Sequence, residues 1–186
     1  MSAPALLLID FQKAIDDPYW GRRGQPHAED NAQRLLSHWR NAERPIFHVK
    51  HNSINADSPY RPGAEGNVFK PALAPEGDEV VIAKTANSAF IDTPLQMLLT
   101  NGGIDAIVVA GVLLENSVDA SVRMASNLGF AVTIAEDAVA STERVDHTGR
   151  NWPAEDVWAL SLGILKGEYA AISTTADLTQ DLEATT

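Results

Sequence analysis

The sequence predicts an α/β fold in which helices cover both faces of a mostly parallel β-sheet. Six short apolar runs have the length and composition of strands, and segments with helical spacing of apolar residues separate most of them. The run at 106–110 is continuously apolar and rich in β-branched residues, which is typical of a parallel strand buried on both faces. Strands that alternate with helices favour right-handed crossover connections, and such connections produce a parallel sheet.

The N-terminal half of the chain contains three of the predicted strands. These strands span residues 5–9, 45–51 and 79–83, and helices are predicted at 29–41 and 93–101. The segments 11–27 and 52–75 are rich in proline and glycine and predict irregular loops. A loop as long as 52–75 in a compact domain is more often functional than idle.

A strand that runs directly into a helix forms the centre of the predicted fold. The strand at 106–110 is followed by Gly111, and apolar residues then recur at helical spacing from 116 to 128. Ligands bind at such junctions in open α/β sheets, because the N–H groups of a helix N-terminus favour negative charge. The simpler interpretation is that Asn116 or Ser117 only caps the helix.

The C-terminal part of the chain completes the predicted sheet. A fifth strand at 131–135, a loop at 146–152, a helix at 153–165 and a sixth strand at 169–173 follow in order. The sequence contains no visible internal repeat or linker, so residues 1–186 predict a single domain. The last dozen residues predict a loose tail.

Composition limits the classes of partner. The net charge of the 186 residues is −11, which argues against binding to nucleic acid or to an anionic membrane surface. No apolar run approaches the roughly 20 residues that span a bilayer, and we expect a cytoplasmic protein. The chain contains no cysteine, which excludes a disulfide framework, a thiolate zinc site and a cysteine nucleophile. The expected partner is therefore a small-molecule substrate.

Three polar residues follow three of the predicted strands. Asp10 follows the first strand, Lys84 the third and Ser117 the fourth, and the carboxyl ends of parallel strands meet at one edge of a sheet. An acid, an amine and a hydroxyl are the parts of a covalent acyl-transfer site, in which helix N–H groups receive the oxyanion. The alternative for Asp10 and Lys84 is a structural ion pair at the rim of the sheet.

Four motifs cover nearly the whole chain in the order of a known family. Residues 7–12 read Leu-Leu-Ile-Asp-Phe-Gln, and residues 58–63 read Ser-Pro-Tyr-Arg-Pro-Gly. Lys84 is followed by Asn-Ser-Ala-Phe at 87–90. Residues 111–118 resemble the pattern Gly-Val-x-Thr-x-x-Cys-Val. The sequence thus resembles the isochorismatase-like cysteine hydrolases, which include nicotinamidases, N-carbamoylsarcosine amidases and ureide hydrolases. The resemblance implies a three-layer α/β/α sandwich around a six-stranded, mainly parallel, Rossmann-like sheet.

The resemblance also implies a role for each motif residue. Asp10 would be the general acid and base, Lys84 the third member of a triad, and Ser117 would hold the position of the nucleophile. A cis peptide bond that does not involve proline would join Val112 to Leu113. The backbone N–H groups of Leu113 and Ser117 would then face the oxyanion of the substrate. The implied reaction is hydrolysis of a small carboxamide, a ureide or a related C–N bond.

The nucleophile itself departs from the family pattern. The family has cysteine where this chain has Ser117, and an alkoxide is much harder to form beside a lysine than a thiolate is. Three explanations are open: an engineered substitution that traps substrate, a natural weak or specialised hydrolase, or a reaction that needs no nucleophile, as in isochorismatases that act on a vinyl ether. A catalytically silent small-molecule-binding homologue is the alternative outside the enzymes.

No metal or cofactor is expected. The metal-dependent branch of the family carries an Asp-x-His pair after the second strand, whereas this chain has His48 and His51 with no aspartate two residues before either. His51 is expected to face the pocket, and His48, three positions earlier, the other side of the strand.

The pocket and the assembly are predicted in outline. The residues expected to contact substrate are Trp20, His51, Arg61, Asn87 and Phe90, with Trp152 as a further candidate from the late loop. Rim packing and surface solvation are the alternatives for these side chains. The resemblance implies a homodimer or a homotetramer.

Overall fold

The computed structural model describes residues 3–180, and eight strands and five α-helices lie in this part of the chain. The strands are β1 (Ala5–Ile9), β2 (Ile46–His51), β3 (Val80–Lys84), β4 (Ala106–Val112), β5 (Ala131–Ala140), β6 (Arg144–Val145), β7 (Asn151–Trp152) and β8 (Ala171–Ser173). The helices are α1 (Ala28–Asn41), α2 (Leu95–Asn101), α3 (Asp119–Asn127), α4 (Ala154–Leu165) and α5 (Thr175–Gln180). None of the helices between residues 3 and 180 is long and apolar enough to cross a membrane.

Six parallel strands form the main sheet in the order β3-β2-β1-β4-β5-β8. The chain first builds outward from β1 to β3 and then returns to the centre with β4, which pairs with β1 on its free side. The strand order therefore reverses between β1 and β4. In open α/β sheets the crevice outside the carboxyl ends of the strands at this point is where ligands bind.

Alternate residues of the strands build two separate cores, one on each face of the sheet. Leu7 and Ile9 of β1 pack with apolar residues of α2, α3 and α4, whereas Leu6 and Leu8 pack with those of α1. All four of these side chains are buried, which explains why β1 is a continuous apolar run rather than an alternating one. The predicted six-stranded parallel sheet with helices on both faces is confirmed.

The C-terminal tail departs from the prediction. Residues 175–180 form α5 rather than a loose segment, and Asp137 accepts hydrogen bonds from the backbone N–H and the hydroxyl of Thr175, both at 2.8 Å. This helix packs beside α1, and only the tertiary contact identifies it because its own sequence is short and polar. The remainder of the predicted tail, 181–186, lies outside the described residues.

The region between β5 and α4 also differs from the prediction. Part of the predicted loop pairs as a two-stranded antiparallel hairpin, β6 with β7, and β5 continues five residues beyond its predicted end. The helix predicted from 116 begins as a π-helical turn at Leu114–Val118 and continues as α3. Leu128, predicted to lie on the buried side of that helix, is 36% exposed just beyond its end.

Candidate active site

The side chains of Asp10, Lys84 and Ser117 meet at the carboxyl edge of the sheet. Lys84 Nζ lies 2.8 Å from Asp10 Oδ2 and donates a hydrogen bond of 3.1 Å to Ser117 Oγ. All three residues are buried, and the side chain of Lys84 is fully inaccessible to solvent. Their convergence from three separate strand ends is what the sequence predicted, and their chemical roles stay predictions.

The backbone at Asp10 has an unusual conformation. Asp10 has a φ of 56°, which few residues other than glycine adopt, and its N–H donates to the carbonyl of Val49 at 2.9 Å. Aspartate and asparagine tolerate this region better than most residues. The chain therefore turns sharply after β1 and leaves the carboxylate of Asp10 at the end of the strand.

Gly111 permits the close approach of β4 to β1. A Cβ at this position would lie 2.7 Å from the carbonyl oxygen of Ile9 and 3.0 Å from the side chain of Val118. Any larger residue would force these strands apart next to Asp10 and Ser117. The glycine at the junction thus serves close packing.

The peptide bond between Val112 and Leu113 is cis, at the position that the resemblance implied. The π-helical turn follows immediately, and Val118 N–H donates to the carbonyl of Leu113 across this wider turn. Ser117 lies in the turn, and its carbonyl accepts a hydrogen bond of 2.6 Å from Ser121 Oγ. The oxyanion role of the N–H groups of Leu113 and Ser117 stays a prediction.

A small cavity of about 70 Å³ opens onto Asp10 and Ser117. Its polar lining consists of Asp10, His51, Tyr60, Asn87, Asn116 and Ser117. Its apolar lining consists of Ile15, Trp20, Val112 and Leu113. Asp10 Oδ1 is buried and has no hydrogen-bond partner among residues 3–180, so one oxygen of this carboxylate is free for a substrate or a proton.

His51 and Tyr60 form one wall of this cavity, with ring centroids 5.8 Å apart. Burial lowers the pKa of His51, and the nearby charge of Lys84 lowers it further. A neutral imidazole fits the position of its Nδ1, which lies 3.4 Å from Lys84 Nζ and can accept a hydrogen bond from the ammonium group. Burial raises the pKa of Tyr60 well above its ordinary value, as does the charge of Asp10, so the phenol remains protonated.

Five predicted contact residues fall into two groups. Trp20, His51 and Asn87 line the cavity, whereas Arg61 and Phe90 do not. Arg61 is exposed on the long loop after β2, and Phe90 is buried in the core, where it stacks on Phe130. The prediction that these two side chains line the pocket is therefore wrong.

The further candidate Trp152 lies on the hairpin and does not line this cavity, but it lines a neighbouring cavity of about 350 Å³ together with Asn116. Its indole N–H donates to Asp146 Oδ2 at 2.8 Å, and the guanidinium of Arg150 lies over its ring. These contacts stabilise the hairpin itself.

Gln12 and Asn67 hold the pocket wall and were not predicted. Gln12 accepts a hydrogen bond from the N–H of His51 at 2.7 Å and donates to the carbonyl of Asn67. Asn67 Nδ2 donates to the carbonyls of His51 and Tyr60. Gln12 and Tyr60 both lie inside the sequence motifs that support the resemblance to the family. Their position in these motifs is the signal that could have identified them as residues of the site. Asn67 lies outside those motifs.

His48 belongs to the opposite side of β2. Its Nε2 lies 2.8 Å from Glu79 Oε2, and its ring contacts Phe69 rather than the cavity. Between residues 3 and 180 no cluster of three or more histidine, cysteine, aspartate or glutamate side chains has the arrangement to hold a metal ion.

Comparison with known proteins agrees with this geometry. Residues 4–159 match the model of the isochorismatase domain. A crystal structure of a protein from Chromobacterium violaceum ATCC 12472, described as a hydrolase of the isochorismatase family, is 47% identical, with a TM-score of 0.96 over 99% of this chain and 96% of that one. The isochorismatase family protein YrdC of Bacillus subtilis (strain 168) is 35% identical over 95% of each chain.

A relative with a named reaction is more distant. The maleamate amidohydrolase of Pseudomonas putida KT2440 is 29% identical to this chain in an alignment of 168 positions that covers 77% of this chain and 75% of that protein. The matched domain covers most of the sequence and includes all three residues of the buried cluster. This chain therefore belongs to the isochorismatase family of hydrolases.

Proposed function

We propose that this protein hydrolyses a small carboxamide or a related C–N substrate through Ser117, with Lys84 and Asp10 as its partners. The observation that carries the proposal is the position of Lys84 Nζ, which contacts both Asp10 Oδ2 and Ser117 Oγ at the base of the cavity. A hydroxyl beside a buried ammonium and a carboxylate is the arrangement of an assisted nucleophile. The named reaction of the maleamate amidohydrolase also favours an amide.

The proposed reaction begins with attack of Ser117 Oγ on the carbonyl carbon of the substrate. The hydroxyl proton passes to Asp10, and the positive charge of Lys84 stabilises the oxygen as it loses that proton. The C–N bond then breaks, and the proton held by Asp10 passes to the leaving nitrogen. Asp10 then takes a proton from water, which attacks the resulting ester, and returns that proton to Ser117 Oγ as the ester bond breaks. This releases the carboxylic acid and restores both side chains.

The oxyanion of the tetrahedral intermediate is proposed to lie near the backbone N–H groups of Leu113 and Ser117. Both residues line the cavity beside Asp10, which supports the proposal. Two donors in a site without water would stabilise the developing charge, and loss of one donor in such sites costs on the order of 10²–10³ in rate.

The experiment that tests the proposal is the Ser117→Cys variant. A thiol ionises far more readily than a hydroxyl beside Lys84, so hydrolysis of a responsive amide should rise by about two orders of magnitude or more. Ammonia release across a panel of small amides and ureides measures the change. The Ser117→Cys/Asp10→Asn double variant is the matched control and should lose the gain, because the proton then has no acceptor.

Each other outcome has a distinct meaning. Equal rates for the serine and cysteine forms on a substrate that both bind would contradict a pocket suited to cysteine chemistry and would favour a true serine mechanism or one without a nucleophile. Absence of hydrolysis in both forms, with binding intact, would identify a silent small-molecule-binding protein instead.

A further inference from the structure

Trp20 lies between two cavities of very different size. Its ring lines the inner cavity of about 70 Å³ beside Ser117 and also lines an outer cavity of about 290 Å³. The indole N–H donates to the carbonyl of Ala14 at 2.8 Å, and the ring makes edge contacts with Tyr60 on the inner side and Tyr19 on the outer side. The ring is therefore held in place between the two spaces.

The inner cavity has room only for the reacting end of a substrate. Its volume of about 70 Å³ is well below the range of about 300–1,000 Å³ that ligand pockets usually span. A carboxamide or ureido group fits such a space, but the chain or ring attached to it does not. The inner cavity shares Trp20 with the outer cavity and Asn116 with a third cavity of about 350 Å³, whose one lysine or arginine, Arg144, is already paired with Glu115 at 2.8 Å. The remainder of a larger substrate would extend past Trp20 into the outer cavity.

The charges along this path disfavour an anion. Among the residues that line the inner cavity the one acidic side chain is Asp10, whose partner Lys84 lies behind it, and none is a lysine or an arginine. The outer cavity has no basic side chain in its lining, and its one charged residue is Asp57. The carboxylate of Asp57 is exposed and accepts no hydrogen bond within residues 3–180.

A second carboxylate on the substrate would therefore lose water without gaining a cation. Moving an unpaired charge out of water is costly, and the negative charges of Asp10 and Asp57 would add repulsion. The aromatic faces of Tyr19 and Trp20 accept neutral groups and also attract cations. The arrangement thus discriminates by charge as well as by size.

We propose that the site takes carboxamides without a carboxylate, with the amide in the inner cavity and an uncharged or cationic tail in the outer one. This inference rests on the proposed function for the orientation of the amide. It separates this chain from relatives whose substrates carry an acid group, of which maleamate is one.

Three amides of similar length test the inference: pentanamide, 4-aminobutanamide and succinamate. Binding to the unaltered protein is measured by ligand-observed NMR titration, and ammonia release is measured with the Ser117→Cys variant. Pentanamide and 4-aminobutanamide should bind at least tenfold more tightly than succinamate. Equal or tighter binding of succinamate would overturn the inference, as would failure of all three to bind.

Charge reversal at Asp57 sharpens the test. Asp57→Lys should improve succinamate binding at least tenfold and weaken 4-aminobutanamide binding, because the outer cavity then carries a cation. Asp78→Lys is the matched control: it makes the same charge change at an exposed position before β3, at the opposite edge of the sheet, and should leave both affinities unchanged. Identical effects of the two variants, or no effect of Asp57→Lys, would contradict the proposed role of the outer cavity.

The two proposals fail in different ways. Charge-selective binding without ammonia release from the Ser117→Cys form would refute hydrolysis and retain the selectivity. Ammonia release from succinamate as fast as from pentanamide would refute the selectivity and retain hydrolysis.

Discussion

The two edges of the sheet each carry a cluster of buried or half-buried charged groups, but their hydrogen bonding differs. At the amino edge, Glu79 accepts hydrogen bonds on both carboxylate oxygens from Arg40 and lies 2.8 Å from the Nε2 of His48. At the carboxyl edge, Asp10 uses one oxygen for Lys84, while the other has no partner within residues 3–180 and belongs to a residue that lines a cavity. Each cluster joins a carboxylate to a basic side chain, so the residue types alone do not distinguish the two clusters.

The difference indicates what each cluster contributes. Burial alone would raise the pKa of Glu79, but hydrogen bonds from Arg40, from the backbone N–H of Glu76 and from His48 lower it to about 2. A carboxylate whose pKa is lowered by such hydrogen bonds stabilises the fold and is a poor proton carrier near neutral pH. An acid with a free oxygen beside a space for substrate is suited to chemistry. Hydrogen-bond satisfaction, rather than charge, separates the structural cluster from the reactive one.

The largest stability effect is expected from Lys84→Met. The change removes the counterion of the buried carboxylate of Asp10, and breaking a buried pair in this way typically costs about 3–5 kcal/mol. Urea unfolding at pH 7 measures the loss in free energy of unfolding.

The double variant Asp10→Asn/Lys84→Met is the control for this prediction. It removes both charges and keeps a residue that tolerates the positive φ at position 10, so most of the lost stability should return. It should also be inactive. A double variant as unstable as Lys84→Met would mean that the pair is retained for stability rather than for reaction.

A smaller effect is expected at the amino edge and depends on pH. The pKa of Glu79 is about 2 in the folded protein, below its ordinary value of 4.5, so its stabilisation is complete above pH 4.5 and is lost as the pH falls toward 2. The contribution is at most about 3 kcal/mol and is smaller where water screens the group.

Glu79→Gln should therefore lower the free energy of unfolding at pH 6 and have much less effect at pH 2.5. Unfolding by urea at the two pH values measures the difference, and hydrolysis should be unaffected at pH 7. Loss of activity in a fully folded Glu79→Gln protein would contradict the division between the two edges.

The smallest effect concerns packing beside the reactive cluster. Gly111→Ala places a Cβ within 2.7 Å of the Ile9 carbonyl and should cost about 1–3 kcal/mol through overpacking. Gly163→Ala in α4 is the matched control, because a Cβ there meets no atom within 4 Å and should stabilise the helix by about 0.5–1 kcal/mol. Thermal unfolding measures both variants: the midpoint should fall for Gly111→Ala and rise for Gly163→Ala. Equal midpoints would contradict the close approach of β1 and β4.

Much of the fold follows from local pattern. The continuous apolar run of β1 and the β-branched run of β4 are each buried on both faces, and both were predicted from hydrophobicity alone. The position of α1 was predicted within one residue, because its apolar residues repeat at helical spacing along 14 residues. Asp10, Lys84 and Ser117 were located because residues at the carboxyl ends of parallel strands share one edge.

Other features depend on contacts between distant segments. Helix α5 has little helical signal of its own and depends on Asp137, which lies 38 positions earlier in the chain. Phe90 and Arg61 were misplaced because sequence identifies an aromatic or basic side chain but not the direction in which a loop presents it.

The sequence by itself determined the order along the chain of the six main strands and of α1 to α4, the edge of the sheet that carries the candidate reactive groups, and the identity of those groups. Only the tertiary structure decided that Lys84 contacts both Asp10 and Ser117, and that Trp20 divides the space above them. The physical reason is the distance along the chain over which each effect acts. Hydrophobic periodicity acts between residues a few positions apart, whereas a cavity forms where loops from several strands pack together.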